Sequence, residues 1–419
     1  MKKKEEILII GGSMAGLLVA MSLKNKGYNV KIFERSPSSL ENRGAGIATH
    51  DELYEALTFA GLSSNASIGV ISDERLFFAK NGDVTHRVAM PQTMTSWGLI
   101  YRFLKLKLGI GEYYSDHCLK DISYTSGGKV VAKFTNGRSV RGDFLVGSDG
   151  SFSRVRQILL PHIKPEHSGY IAWRGLVNES DIPRSTLIKL ANKFSFALTD
   201  GGHWLGYLVA GPNDDLAEGK RWYNWVWYQW EDNYSLKKLL TDKSGHYYSA
   251  GIPPNLITEE SKNYMRQKAW QLPSIIRELV TTTKVPFLQG IQDLCVDRLA
   301  FDKIVLIGDA ACTARPHVGL GVSKAASDAM ALTKALLSSD RERALDDWQQ
   351  SRLAFAKAAF KWSRDLGSYI GNKQKGNPTG FKADFYDDPN TLITQNASNQ
   401  PCRYIKYYLH DKGLAEGQL

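Results

Sequence analysis

The sequence predicts an α/β fold with a second domain built on antiparallel sheet and a helical C-terminal region, and three stretches predict it. Near the start, a β-branched apolar run at residues 7–10 meets Gly11-Gly12-Ser13-Met14-Ala15-Gly16 and passes into apolar residues at helical spacing. Within residues 304–332, a second short apolar run ends in Gly308-Asp309, and Gly319-Leu320-Gly321 opens another helix. Between these units, six of the ten tryptophans fall within residues 173–230, where RWYNWVWYQW at 221–230 reads as an aromatic strand.

The first unit runs on through Leu17 and Leu23 toward Gly27, and a second strand at 29–33 ends in Glu34. Strand, glycine turn, helix, strand and acid in this order form a dinucleotide-binding unit. The glycines permit a tight turn, the helix start offers unpaired N–H groups to a pyrophosphate, and the acid receives ribose hydroxyls. Ser13 stands where that pattern has its second glycine, so a hydroxyl can donate there instead. Glu34 favours an adenosine with a free ribose 2′-hydroxyl, which FAD and NAD both carry, and the unit alone leaves that choice open.

A glycine-bearing loop with Arg43 follows, then a helix over 51–60 and a hairpin over 68–90 broken at Gly82-Asp83. Arg102 falls in the first turn of the next helix, where a cation opposes the helix dipole, and either an anionic ligand or a surface salt bridge would relieve it. Short strands fill 118–147, with turns at Ser126-Gly127-Gly128 and Asn136-Gly137. Ser148-Asp149-Gly150 then repeats the pattern of an acid at a strand's carboxyl end, and Ser153, Arg154 and Arg156 open a helix. The segment from about 170 to 288 is the antiparallel domain, whose aromatic rings are expected chiefly in its core. An amphipathic helix is expected over 341–365, and beyond Gly371 a polar tail carries a last apolar patch at 404–409. That patch suits either wrapping the body or a homodimer contact.

A hydrophobic content of 43% excludes a disordered chain, and 419 residues are enough for two or three domains. Cys118, Cys295, Cys312 and Cys402 show no Cys-x-x-Cys spacing, which fits a reducing compartment and gives no metal site. Only four apolar residues separate Glu6 from Gly11, too few for a signal peptide or a membrane span, so a cytoplasmic location is expected. The net charge of +10 is interspersed with acids beyond Lys2, Lys3 and Lys4, so no nucleic-acid footprint is expected.

GGSMAG with Glu34-Arg35, Ser148-Asp149-Gly150 with Ser153 and Arg156, and Gly308-Asp309 with Pro316, Gly319 and Gly321 together resemble the single-component FAD-dependent aromatic hydroxylases of the para-hydroxybenzoate hydroxylase type. The resemblance spans roughly residues 5 to 335. RGAGI at 43–47, SWGLIYR at 96–102, YIAWRGLV at 170–177 and RPHVGLGVSKAA at 315–326 are most similar to the branch containing 2,6-dihydroxypyridine 3-hydroxylase. It implies a Rossmann-like FAD-binding domain from 1–70, 95–168 and 288–335, a mixed β-sheet substrate domain from 71–94 and 169–287, and C-terminal helices and tail over 336–419. The implied activity is an NAD(P)H-consuming, FAD-dependent monooxygenase. It would hydroxylate a small aromatic or N-heteroaromatic substrate with molecular oxygen through a flavin C4a-hydroperoxide, without a separate NAD(P)H domain.

The resemblance places the FAD pyrophosphate on the turn of Gly11, Ser13, Met14 and Gly16, and the adenosine ribose at Glu34 and Arg35. Arg43 and Arg102 would meet further cofactor groups, and Asp149 belongs to a motif associated with both FAD and NAD(P)H. Asp309 would bind the ribityl chain or the pyrophosphate, and Gly319 and Gly321-Val322 the pyrimidine edge of the flavin. His317, the one histidine of that loop, is the candidate for helping to deprotonate a phenol or hydroxypyridine, since a histidine's ordinary pKa lies near neutrality; the alternative is a structural hydrogen bond in a tight loop. Members often carry histidine after Gly-Asp-Ala-Ala, where this chain has Cys312. The alternatives are a flavin-dependent reductase and a non-catalytic flavin-binding sensor or interaction protein.

Overall fold

The computed structural model describes residues 5–41, 46–62, 67–109, 111–370 and 388–410. The smaller of its two large sheets has six strands, in the order Ala300–Phe301, Ile304–Leu306, Phe144–Gly147, Glu6–Ile10, Asn29–Phe33 and Tyr113–Tyr114. All neighbours are parallel except the first pair. Its central strands are continuous apolar runs because both faces are covered, and Ile7, Leu8 and Ile9 are fully buried. The helices Met14–Asn25 and Gly321–Leu337 pack on one another. The two glycine-opened helix starts therefore stand together, as the carboxyl end of a parallel sheet requires of a nucleotide site. The small antiparallel sheet of Leu119–Tyr124, Val130–Phe134 and Ser139–Gly142 joins the same core.

The larger sheet has nine strands: Cys312–Thr313, Phe287–Cys295, Glu166–Asn178, Trp222–Trp230, Gly202–Val209, Lys193–Thr199, Val70–Phe78, Val84–Ser96 and Gly46–Ala48. It is antiparallel except where Lys193–Thr199 runs parallel to Val70–Phe78, so the sheet is mixed. Three of its strands, Cys312–Thr313 among them, lie where the sequence reading placed the nucleotide-binding domain. Gly46–Ala48 pairs with Val84–Ser96, and Phe287–Cys295 pairs with Glu166–Asn178. Strand partners are chosen across long sequence separations, so one sheet draws strands from segments far apart in the chain. Both outer strands, Cys312–Thr313 and Gly46–Ala48, continue segments of the small-sheet domain, which ties the two sheets together.

Period two sorts the aromatic strand. Trp225 and Trp227 join Trp173 and Trp204, all fully buried, in a core shared with the helices Glu259–Lys268 and Ser274–Thr282. Val226 and Tyr228 take the opposite face with Phe194, Leu205 and Tyr207. The tryptophans are structural, and the tyrosine and phenylalanine face is left to meet the other domain.

The long helix Arg341–Leu366 packs on both Gly321–Leu337 and the last described helix, Pro401–His410, where Trp362 stacks on Tyr404 at 4.9 Å. The C-terminal segment therefore wraps the body. Its anchor is Arg75, fully buried on Val70–Phe78. Arg75 Nη1 donates to the carbonyls of Ile393 (2.9 Å) and Asn396 (2.5 Å), and Nη2 to Ala397 O (2.6 Å) and Gln92 Oε1 (2.7 Å). Among the described residues no carboxylate pairs with it, and burial lowers its pKa to about 9, which still leaves it charged near neutrality. No described helix is long and apolar enough to cross a membrane.

Candidate active site

A groove of about 490 Å³ opens at the carboxyl end of the small sheet, lined by Gly11, Ser13, Met14, Glu34, Arg35, Asp149, Asp309, Gly321 and Val322 among others. Gly11 has φ +104°, and a Cβ there would sit 2.4 Å from Ser148 O. A Cβ on Gly16 would sit 1.9 Å from Gly11 O, so helix and turn close on each other only through glycine. Ser13 is the N-cap in extended backbone, a conformation open to any residue, and its side chain makes no capping bond. The helix at Gly321 likewise starts without a side-chain cap. Two helix N-termini thus present unpaired N–H groups at one groove.

The three acids differ in their surroundings. Glu34 accepts from Gly12 N (2.8 Å) and Ser36 N (2.9 Å), which orients its carboxylate on the groove wall. Asp149 accepts from Ser153 Oγ, Arg154 N (2.6 Å) and Val155 N (3.2 Å). It therefore shapes the start of the helix Arg154–Leu159; burial raises its pKa and these bonds oppose the rise. Asp309 has no hydrogen-bond donor among the described residues and opens onto the groove. The enclosing protein raises its pKa, and Lys324 draws it down.

Buried cations hold the Asp309 turn from behind. Arg156 donates to Ala310 O (2.9 Å) and Ser151 O (2.5 Å), joining the Asp149 loop to the Gly308–Ala310 turn. Lys324 Nζ donates to Gly308 O (3.1 Å) and Asp328 Oδ2 (2.9 Å), and Arg352 Nε donates to Asp328 Oδ1 (2.8 Å). The i,i+4 spacing of Lys324 and Asp328 is visible in the sequence. Their burial, and Arg352 as a third partner, are not.

Arg102 does not line the groove. Its Nε donates to Asp214 Oδ2 at 2.9 Å and its Nη2 to Asp214 Oδ1, so the anionic partner expected for it comes from the protein. Arg43 lies outside the described residues.

A second cavity of about 250 Å³ continues from Asp309, Gly321 and Val322 to the open face of the large sheet. Ile47, Phe194, Tyr207, Val226, Tyr228 and Ile291 give it apolar and aromatic walls, while Arg174, Gln289 and Gln292 bring polar groups. Ala397 closes one side. Gly319 turns the loop at φ +66°, where an added Cβ would meet Ala397 Cβ at 2.8 Å.

His317 reaches this cavity wall, yet it is only 1% exposed. Its Nε2 lies 2.7 Å from Tyr170 Oη, and its carbonyl accepts from Ala397 N at 2.7 Å. Burial, with His203 and Arg315 beside it, holds its pKa well below the ordinary value. The sequence argument for a base rested on that ordinary value. The ring here is neutral and weakly basic, suited to holding Tyr170 and the loop. Arg315 is fixed by Asp293 through Nε (2.7 Å) and Nη2 (2.6 Å), which ties the loop to the large sheet.

Arg174 was not singled out from the sequence as a site residue, although it lies within YIAWRGLV. Alternation was the available signal: Trp173 enters the tryptophan core, so Arg174 must face the other way.

The groove fits FAD. Two uncapped helix starts suit a diphosphate and an anionic ring edge, Glu34 suits a ribose, and the unpartnered Asp309 suits a polyhydroxyl chain. Residues 167–293 match a family model described as FAD binding domain-like, and residues 265–363 one described as FAD binding domain. The chain is 30% identical to the 2,6-dihydroxypyridine 3-monooxygenase of Paenarthrobacter nicotinovorans, over 93% of this chain and 98% of that one. It is 24% identical to the 6-hydroxynicotinate 3-monooxygenase of Pseudomonas fluorescens, over 80% of this chain and 83% of that one. Among solved structures it is similar to 2,6-dihydroxypyridine-3-hydroxylase from Arthrobacter nicotinovorans, with a TM-score of 0.83 and 29% identity, covering 91% of this chain and 96% of that one. On these similarities, which run nearly end to end, the chain belongs to the family of FAD-dependent aromatic monooxygenases of the para-hydroxybenzoate hydroxylase type.

Proposed function

We propose that this monooxygenase hydroxylates a small, single-ring aromatic or N-heteroaromatic compound that binds as an anion, with NAD(P)H as reductant and molecular oxygen as co-substrate. Arg174 carries the reading. It lines the 250 Å³ cavity, where it hydrogen-bonds Tyr228, and among the described residues its Nε has no hydrogen-bond partner and no carboxylate pairs with it. Arg315, the other cation on the wall, is neutralised by Asp293. An uncompensated guanidinium between aromatic walls favours a flat ring bearing an ionised hydroxyl or a carboxylate. Gln289 and Gln292 can then set the ring's orientation.

FAD, when bound, supplies the redox and oxygen chemistry. The protein's own residues hold and tune the reactants. The N–H groups at Gly321 and Val322 would hold the flavin edge and favour negative charge there, and Asp309 would accept from ribityl hydroxyls. Because His317 is a poor base here, ring activation rests on Arg174 binding the substrate already ionised, which raises electron density on the ring carbons. The names of the two relatives, a dihydroxypyridine and a hydroxynicotinate monooxygenase, support an N-heteroaromatic substrate.

The first test is NAD(P)H oxidation by the purified FAD-loaded protein across hydroxypyridines, hydroxynicotinates and hydroxybenzoates, with hydrogen peroxide measured alongside. Faster oxidation with little peroxide for one compound is expected. If no compound stimulates oxidation, or every turnover ends as peroxide, the reductase reading replaces this one. For Arg174→Met, substrate affinity is expected to fall roughly 10–100-fold with FAD binding unchanged, the loss typical of a charge-assisted hydrogen bond. Equal affinity for an anionic substrate in both proteins would remove Arg174 from the reading. For Asp309→Ala, FAD affinity is expected to fall by a similar factor of roughly 10–100 in a fluorescence titration of the apoprotein. Wild-type affinity there would mean that the groove acid does not touch the cofactor.

A further inference from the structure

Cys295 and Cys312 are far apart in sequence but are register partners, since Phe287–Cys295 pairs antiparallel with Cys312–Thr313. Val296 N donates to Ala311 O at 3.0 Å. That bond, one residue after Cys295 and one before Cys312, marks Cys295–Cys312 as a non-hydrogen-bonded pair, in which Cα atoms stand about 4.5 Å apart. A disulfide spans Cα separations of roughly 4.4–6.8 Å. Register partners project their side chains from the same face, which brings the two thiols side by side. Cys312 Sγ also donates to Ala356 O at 3.5 Å, against the long C-terminal helix.

We propose that Cys295 and Cys312 form a peroxide-modified dithiol, which hydrogen peroxide converts to a cross-strand disulfide joining the substrate-cavity strand to the cofactor turn. Cys295 is the attacking sulfur. It is half-buried, and Cys312, Lys324 and Lys357 lower its pKa, whereas the deeply buried Cys312 has its pKa raised. The Cys295 thiolate forms an S–O bond as the O–O bond of peroxide breaks, and the departing hydroxide takes up a proton as water. Sulfur is oxidised to sulfenic acid and peroxide is reduced. Cys312 sulfur then attacks Cys295 sulfur, the S–S bond forms, the S–O bond breaks, and the thiol proton leaves in a second water. Two thiols and one peroxide give one disulfide and two waters.

The location gives the bond its consequence. The Cys295 strand supplies Gln289, Ile291 and Gln292 to the cavity, and Cys312 follows the Asp309 turn. The two strands share just the register pairs Leu294–Thr313 and Cys295–Cys312. A covalent bond here fixes the cavity strand relative to the groove acid.

The test treats the FAD-loaded wild type with hydrogen peroxide, alkylates the remaining thiols in denaturant, and maps the peptides. The expected result is loss of two of the four thiols, a linked Cys295–Cys312 peptide about 2 Da lighter than the two reduced peptides together, and reversal by dithiothreitol. The thermal midpoint should rise by several degrees in wild type and not in Cys295→Ser. In Cys312→Ser, the sulfenic acid at Cys295 should persist and be captured by dimedone. Oxidation confined to Cys118 or Cys402, with both Cys295 and Cys312 alkylated, would overturn the proposal, as would sulfinic acid at Cys295 without the linked peptide.

Discussion

Arg75→Met should destabilise the protein by roughly 3 kcal/mol or more and free the C-terminal segment from the body. In the native chain one buried guanidinium satisfies the carbonyls of Ile393, Asn396 and Ala397 together with Gln92 Oε1. Methionine keeps much of the apolar volume and removes every donor. Buried acceptors left unpaired cost about 1–3 kcal/mol each, and the segment can recover part of this only by moving toward water. Lysine is not a conservative replacement, because a single ammonium lacks the planar fork that reaches these oxygens together. The loss should spread to the cavity, since Ala397 forms part of its wall and donates its N–H to His317 O. Hydrogen exchange should show faster exchange at 391–398 and little change in the Gly11–Gly16 turn. Wild-type melting and protection would mean that apolar packing of Leu392 and Ile393 holds the segment without Arg75.

The second large effect is acid lability between pH 6.5 and about pH 4. Three buried histidines meet at the same junction. His50 bridges Ser323 Oγ and Ser398 O, each at 2.9 Å, and burial lowers its pKa to about 4. His203, hydrogen-bonded to Tyr369, is lowered to about 3 by burial, and His317 also lies well below its ordinary value. The folded pKa values are depressed below the unfolded value of about 6.5. Their contribution is therefore complete above pH 6.5 and is lost as pH falls toward the folded values, because only the unfolded chain takes up protons in that window. At about 1.4 kcal/mol per pH unit, the fall from pH 6.5 to pH 4 removes about 3 kcal/mol from His50 and about the same from His203. Net stabilities are typically about 5–15 kcal/mol, so together these can unfold the chain. The raised pKa values of Asp149 and Asp309 act in the opposite direction, adding stability as pH falls toward the ordinary carboxylate range. Denaturant unfolding at pH 7.5, 6 and 5, at one FAD saturation, should show stability dropping through this window. A flat profile would mean that one or more of these rings is charged in the folded state.

What could be read in the sequence was what local backbone geometry demands. Gly11 and Gly16 had to be glycine because a Cβ would strike backbone within the same strand-turn-helix unit, and Glu34 and Asp309 ended short apolar strands. These signals lie within about 30 residues and repeat at fixed periods, so pattern alone locates them. Only the tertiary structure decided what depends on neighbours brought from elsewhere in the chain. Arg102 is claimed by Asp214, His317 is stripped of its basicity by burial, and among the described residues Arg174 is left without an acid. Arg75 is matched to carbonyls more than 300 residues away, and Cys295 stands opposite Cys312. Charge, protonation and reactivity are properties of surroundings, and surroundings are set by which elements pack together, a relation that no local period in the sequence encodes.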